Sequence, residues 1–230
     1  MSVVAIIVAG GTGERFGRAG GKQLAPLAGA TVITHTIGVF DACPAVDAVV
    51  VVARPEAITP LSEATSGSRS VVAIVAGGET RQDSVAAGLA ALPDDAETVV
   101  VHDGARPLIT GETITAALDA LGGGVDGCVI GHPAYDTIKR TDADGLVTST
   151  LDRSCLWVAQ TPQVFRVDTL RDAHERARDV GFLGTDDASL VERAGGHIRM
   201  IAGPRDNIKV TVAADLVIAE AILCARGESL

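Results

Sequence analysis

The chain has 230 residues, 47% of them hydrophobic and 21% charged, which is ordinary globular usage and excludes wholesale disorder. Its formal charge of −10 argues against broad binding to a nucleic-acid backbone, and 3% aromatics leave few platforms for base stacking. A small phosphorylated ligand remains compatible, because local cations can override the net field.

Val3–Val8 is a β-branched run followed at once by a glycine loop, so it reads as a buried strand rather than a signal peptide. The pattern from Thr31, with Ile33, Ile37 and Phe40 on one face, predicts a helix. Val46–Ala53 follows as a strand, with a helix beginning near Pro55. Its apolar run, near Ala48–Ala53, is far short of the ~18 residues of a membrane span, as is every other in the chain, so no membrane partner and a cytoplasmic location are expected. Val71–Val75 is a third strand. A helix carrying Val85, Leu89 and Leu92 then starts near Thr80. Thr98–His102 is a fourth strand, followed by a helix with Ile114, Leu118 and Leu121, and Gly127–Gly131 is a fifth. Near-continuous apolar strands alternating with helices mean a parallel sheet covered on both faces.

The rhythm changes after His132. Two β-rich runs, Thr137–Thr141 and Leu146–Thr150, flank Asp142-Ala143-Asp144-Gly145, a hairpin signal. Neither run is apolar enough for the sheet centre, so the hairpin is expected to project as an arm. Val167–Val180 and Asp186–Ala194 read as helices, His197–Ala202 as a strand and Val212–Ala225 as a final helix. Nothing divides the chain, which is expected to be one domain over residues 1–230 with 136–152 as the arm. Cys43, Cys128, Cys155 and Cys224 show no paired or metal-ligand spacing and read as reduced thiols.

Three loops at strand ends carry the chemistry. The first is Ala9-Gly10-Gly11-Thr12-Gly13-Glu14-Arg15-Phe16, with Lys22 shortly after. Glycines let backbone N–H groups face an oxyanion, and Arg15 and Lys22 add charge. The spacing matches neither a Walker loop nor the dinucleotide fingerprint; a glycine turn without ligand is the alternative. The second, Gly77-Gly78-Glu79-Thr80-Arg81-Gln82-Asp83-Ser84, permits close approach of a base or ribose, and Thr80 or Asp83 is equally suited to cap the next helix. The third is Val101-His102-Asp103-Gly104-Ala105-Arg106-Pro107. There Asp103 is suited to a divalent metal or a ribose hydroxyl and Arg106 to a phosphate; an Asp–Arg pair that only stabilises the loop is the other reading. His102, with no second His at ligand spacing, reads as a packed core residue. Only three of the 19 basic residues are lysine, Lys22, Lys139 and Lys209, which hints at a need for compact point charges there.

Together with Asp136-Thr137-Ile138-Lys139-Arg140, Asp152-Arg153, Gln160-Thr161-Pro162-Gln163, Thr185-Asp186-Asp187-Ala188-Ser189 and Asp206-Asn207-Ile208-Lys209-Val210-Thr211, these loops resemble the 2-C-methyl-D-erythritol 4-phosphate cytidylyltransferases of the non-mevalonate isoprenoid pathway, in order over nearly the whole chain. The resemblance implies an α/β, Rossmann-like nucleotidyltransferase domain with a mostly parallel twisted sheet, helices on both faces and a projecting β-hairpin arm. It implies cytidylyl transfer from CTP to methylerythritol phosphate with Mg²⁺ held mainly by the CTP phosphates, Asp103 being a possible ligand. It implies Arg15, Lys22, Arg153 and Lys209 as catalytic residues. Ala9, Gly10, Gly11, Gly77, Gly78, Arg81, Ser84 and Gly104 would bind the nucleotide, and Asp103, Arg106, Thr137, Arg153, Thr185 and Lys209 the second substrate. A homodimer with exchanged arms would place Thr137 and Arg153 in the partner's site. The chain departs from the family at Gly21, where proline usually precedes the lysine, and at Gly104, where alanine is common. Transfer to another polyol phosphate such as ribitol 5-phosphate, and a non-catalytic nucleotide-binding module, are the alternatives.

Overall fold

The computed structural model describes residues 2–11, 16 and 21–227. In chain order the elements are β1 (Ser2–Val8), β2 (Pro26–Leu27), β3 (Ala30–Thr31), α1 (Val32–Ala42), β4 (Ala48–Ala53), α2 (Ile58–Ala64), β5 (Val71–Ala76), α3 (Arg81–Ala90), β6 (Ala96–Asp103) and α4 (Gly111–Asp119). They continue with β7 (Gly127–Pro133), β8 (Lys139–Thr141), β9 (Val147–Thr150), β10 (Trp157–Arg166), α5 (Val167–Asp179), α6 (Asp187–Arg193), β11 (Ile198–Ala202) and α7 (Ala213–Arg226). The main sheet has seven strands in the order β11-β7-β10-β6-β1-β4-β5.

Alternation along each strand sends its side chains to two cores. Val4 and Ile6 of β1, with Val50, Val99, Val129 and Phe165, face α3, α5 and α6. Ala5 and Ile7, with Val49, Val100, Ile130 and Val164, face α1, α2 and α4 through Ile37, Phe40, Leu61 and Ile114. A third cluster fixes α7, whose Ala219 and Leu223 pack with Leu27, Val32, Leu108 and Val210. The helix starts are locally encoded. Thr31 caps α1 by accepting from the Thr34 N–H, and Thr80 and Asp83 form a reciprocal capping box on α3, so both residues read as capping candidates take part.

The expected five-strand parallel pattern needs one correction. β10, which the sequence pattern does not reveal as a strand, lies between β6 and β7 and runs antiparallel to both. Its centre is the polar stretch Gln160-Thr161-Pro162-Gln163, where proline breaks the apolar signature. The structure accommodates Pro162 in a shift of register between Ala159 and Gln163 on the β7 side, where a missing N–H disrupts least. Beyond the shift, Phe165 is fully buried opposite Val99 and Gly127. A Cβ at Gly127 would lie 2.4 Å from the Phe165 ring, so the glycine is what leaves room for it.

The expected arm is present. β8 and β9 form a separate antiparallel pair joined through Asp142–Gly145, and every residue of 135–150 except Ser149 is exposed. The switch in direction of travel across the sheet falls at β1 and β6: the chain leaves β1 toward β4 and leaves β6 toward β10 and β7. Open α/β sheets bind ligands outside the carboxyl ends of strands at such a point. The packing around β10 gives a stability test. Phe165→Ala is expected to cost about 3–5 kcal/mol, as large-to-small changes at closed core sites do, read as a lowered urea midpoint with unchanged slope.

Candidate active site

The three loops meet over the carboxyl ends of β1, β5 and β6. They line a cleft of about 310 Å³ with Gly10, Gly11, Gly78, Arg81, Ser84 and Asp103, to which Lys22, Gln23 and Lys209 are added from elsewhere. The glycines are required by closeness. A Cβ on Gly78 would lie 2.3 Å from Asp83 Cβ, and one on Gly77 would lie 2.5 Å from Ser84 Oγ. Gly104 is also a packing glycine, since an added Cβ would meet Ile33 Cδ1 at 2.8 Å; alanine there would require Ile33 to move. Gly21 has φ of +76°, a left-handed conformation closed to proline, whose ring fixes φ near −65°. A proline at this position could not follow the path by which the backbone here enters Lys22.

Asp103 ends β6 and is the electrostatic centre. Its Oδ2 lies 2.9 Å from Lys209 Nζ and 3.3 Å from Arg106 Nε, and its Oδ1 lies 3.6 Å from Arg81 Nε. Burial by itself would raise the carboxyl's pKa; Lys209, Arg81 and Arg106 outweigh that and hold it well below the usual carboxylate range. With three cations already around it, Asp103 does not fit a metal ligand. Among the described residues no group of three His, Cys, Asp or Glu gathers for one.

A hydrogen-bonded frame fixes Asp103 and Lys209. Asp103 N–H donates to Thr161 Oγ1 (3.1 Å), leaving the Thr161 hydroxyl to donate to His102 Nδ1 (3.0 Å). His102 Nε2–H then donates to the Arg106 carbonyl (3.2 Å), which makes the ring neutral with its proton on Nε2. Burial of the ring drives its pKa down to about 4, against the pull of the adjacent Asp103. Arg106 Nη1 donates to the Asn207 carbonyl (2.8 Å), and Asn207 Nδ2 donates to Gln160 Oε1 (3.1 Å) and the Thr161 carbonyl (2.8 Å). The loop after β6, the bend in β10 and the segment leading to Lys209 are thus one unit. The expectation of a packed core histidine is met, with an added role in this frame.

The expected site residues divide accordingly. Gly10, Gly11, Lys22, Gly78, Arg81, Ser84, Asp103 and Lys209 line the cleft. Ala9, Gly77 and Gly104 stand just behind it, each donating its N–H to a neighbouring strand end, and Arg106 braces Asp103. Thr185 is exposed immediately before Asp186, which caps α6 by accepting from the Ser189 N–H. Thr137 and Arg153 are exposed on and beside the arm, away from this cleft; Arg153 donates to the Tyr135 carbonyl. Arg15 lies outside the described residues. Sequence reasoning assigns no role to Thr161, Asn207, Asp187 or His174. Asn207 and Thr161 stand inside strings that carry the family resemblance, but their burial is visible only in the fold.

Two measurements test the frame. Thr161→Val keeps the side chain's shape and strands both the Asp103 N–H and His102 Nδ1, at about 1–3 kcal/mol for each buried group left unsatisfied. For pH, the folded value of His102 lies below its unfolded value near 6.5. Between those values the unfolded chain binds the extra proton, so stability falls as pH drops from 6.5 to 4, by at most about 1.4 kcal/mol per unit. His102→Asn should flatten that part of the curve in urea titrations. The contribution of Asp103, whose folded value is depressed, should be lost only below about pH 4.

A family model described as 2-C-methyl-D-erythritol 4-phosphate cytidylyltransferase matches residues 3–225. A protein of that name from Pelotomaculum thermopropionicum is 44% identical over 227 residues, covering 97% of this chain and 95% of its own length. Another from Geotalea uraniireducens is 42% identical over 229 residues, 97% of each. The crystal structure of a 4-diphosphocytidyl-2C-methyl-D-erythritol synthase from Anaerococcus prevotii superposes with a TM-score of 0.87 at 27% identity, covering 97% of this chain and 98% of that one. The Thermus thermophilus 2-C-methyl-D-erythritol 4-phosphate cytidylyltransferase does so with a TM-score of 0.79 at 30% identity, covering 96% and 98%. On these matches, and with the family's loops assembled over one cleft, the chain belongs to the 2-C-methyl-D-erythritol 4-phosphate cytidylyltransferase family.

Proposed function

We propose that this chain transfers the cytidylyl group of CTP to 2-C-methyl-D-erythritol 4-phosphate, giving 4-diphosphocytidyl-2-C-methyl-D-erythritol and pyrophosphate. The observation that carries the reading is a cleft lined by Lys22, Arg81 and Lys209, with Arg81, Arg106 and Lys209 around Asp103, in a chain whose net charge is −10. Attack of one phosphate on another needs two anions neutralised and aligned, with little covalent chemistry from the protein. In this reading Gly10 and Gly11 lie along the triphosphate while Gly77, Gly78, Arg81 and Ser84 receive the cytidine. Lys22, with Arg15, stabilises charge as it grows at the α-phosphate and the departing pyrophosphate. Lys209 leaves Asp103 for the acceptor phosphate, and Asp103 and Thr185 meet acceptor hydroxyls. Magnesium enters as the counterion of CTP, part of the substrate, since the described residues offer it no protein ligand set.

The arm supports a homodimer with exchanged arms. Tyr135, Ile138, Leu146 and Val147 are exposed, Leu146 at 67%, on a hairpin with no core of its own. A lone two-stranded hairpin is marginal in water and needs a surface to cover it. Crossing to the partner would bring Thr137 and Arg153 to a cleft that neither reaches within its own chain. No helix among the described residues is long and apolar enough to cross a membrane, and a cytoplasmic location is part of the proposal.

Pyrophosphate release with each of the four nucleoside triphosphates against methylerythritol phosphate and ribitol 5-phosphate tests the reaction; turnover is expected only with CTP, and mainly with methylerythritol phosphate. Equal turnover of ribitol 5-phosphate would redirect the acceptor assignment, and tight CTP binding without release would leave a nucleotide-binding module. Chelation by EDTA should abolish activity and Mg²⁺ restore it. Lys22→Ala should lose about 10²–10³ in kcat, roughly 3–4 kcal/mol. Lys209→Ala should raise KM for the polyol phosphate far more than for CTP. Co-refolding Lys22→Ala with Arg153→Ala should restore activity, because one site of the mixed dimer then carries neither defect. No recovery in demonstrated heterodimers would sink the shared site.

A further inference from the structure

The wall of the cleft at α3 is held from behind by a buried charge that no step above uses. Arg81, the first residue of α3, has its guanidinium between two carboxylates. Its Nε faces Asp103 Oδ1 at 3.6 Å, and its Nη1 donates to Asp187 Oδ2 at 2.7 Å. Asp187 opens α6 and is 1% exposed; its Oδ1 lies 3.4 Å from Nε2 of His174 on α5, itself 3% exposed. Neither of those two facing atoms has a hydrogen-bond partner among the described residues.

A buried ion pair of this kind adds little stability over apolar side chains of the same volume, and less when one oxygen lacks a donor. What it does fix is direction. Arginine paired with a carboxylate prefers the two-pronged geometry, and Asp103 stands close enough to offer it. Without Asp187, the guanidinium would turn onto Asp103 and compete for the carboxylate that now holds Lys209 at 2.9 Å. The Arg81–Asp103 approach is 3.6 Å, longer than the 2.9 Å contact to Lys209.

We propose that Asp187, backed by His174, is a positioning residue for the transfer: by gripping Nη1 of Arg81 it keeps that guanidinium from collapsing onto Asp103, so that Asp103 holds Lys209 in place until the acceptor phosphate takes it over. The proposal rests on the reading of the Arg81–Asp103 cleft as the transfer site. Replacing Asp187 by asparagine removes one negative charge beneath the cleft and weakens the grip to a single neutral acceptor. Anion attraction is then kept or increased while alignment is lost, so kcat should fall with KM for CTP almost unchanged, a split that general loosening of the fold would not give.

The test is a cycle of wild type, Asp187→Asn, Arg81→Gln and the double variant. Steady-state constants, melting temperatures and the guanidinium NMR signals of ¹⁵N-arginine-labelled protein would be recorded for each. Asp187→Asn should lower kcat about tenfold or more, with KM for CTP within about twofold. The double variant should be no slower than Arg81→Gln, because the aspartate acts through the arginine. In wild type the Arg81 Nη signals should be separate, as for a gripped guanidinium, and they should merge in Asp187→Asn. If Asp187→Asn fails to fold, His174→Gln should show a partial merging of the same signals and a kcat lowered about threefold. Additive losses in the cycle, or Arg81 signals unchanged by the substitution, would overturn the proposal. A wild-type enzyme inactive on CTP would overturn the functional reading instead, and the guanidinium signals would still decide the positioning claim.

Discussion

Burying a carboxylate at the end of a central strand costs free energy unless cations come to meet it, and Asp103 draws three, one from its own loop and two from distant parts of the chain. Arg106 arrives from the same loop, Arg81 from the start of α3, and Lys209 from the segment before α7. Each brings its backbone with it, so one negative charge fixes where three loops end. The frame around His102 serves the same centre. Thr161 and Asn207 tie the bend of β10 to the Asp103 loop, and β10 can bend there because its own ladder shifts register at Pro162. The antiparallel strand is therefore a device for delivering polar groups to the strand ends, inserted where an entirely parallel sheet would have presented an apolar strand.

That arrangement explains what the sequence discloses and what it withholds. The helical stripe of Ile33, Ile37 and Phe40, the β-branched run Val49–Val52 and the Thr80/Asp83 cap announce their elements because periodicity and capping are local properties. Gly10, Gly11, Gly78, Arg81, Asp103 and Lys209 are legible as ligand groups because glycine and charge at a strand end have few other uses, and they do converge. β10 is not legible, because its polar centre is dictated by contacts with His102 and Asn207 that lie 59 and 46 residues away along the chain. Asp187 is hidden for a similar reason: an acidic residue in a helix's first turn has an adequate local explanation in the dipole, and only tertiary packing buries it against Arg81.

The split between the cleft and the arm follows from the same physics. Arg81 and Arg106, which hold Asp103 from within the fold, are largely buried beside it, and exclusion of water strengthens their interaction. Thr137 and Arg153 flank a hairpin that this chain's core does not cover, so they cannot be part of that packed unit within one chain. The arm shows apolar side chains at Ile138, Leu146 and Val147, a pattern suited to another protein surface rather than to solvent. A fixed cleft that gathers the nucleotide and a separate element that closes over the acceptor would divide the two substrates between rigid and docked parts of the assembly.

The rarity of lysine has an explanation in how the cations are held. Arg106 and Arg81 are each pinned at two places, Arg106 by Asp103 and the Asn207 carbonyl, Arg81 by Asp187 and Asp103. A planar guanidinium suits that task, because its donors diverge in fixed directions. Lys209 approaches Asp103 from a side chain 40% exposed, with a compact charge on a flexible stem that can be handed to an incoming phosphate. Lys22 likewise lines the cleft. The third lysine differs: Lys139 donates across the arm to Thr150, its register partner, at 2.8 Å. Its compact ammonium closes a cross-strand pair on a hairpin too polar to be held by a core. Arginine thus builds the frame in this protein, and two of its three lysines line the cleft.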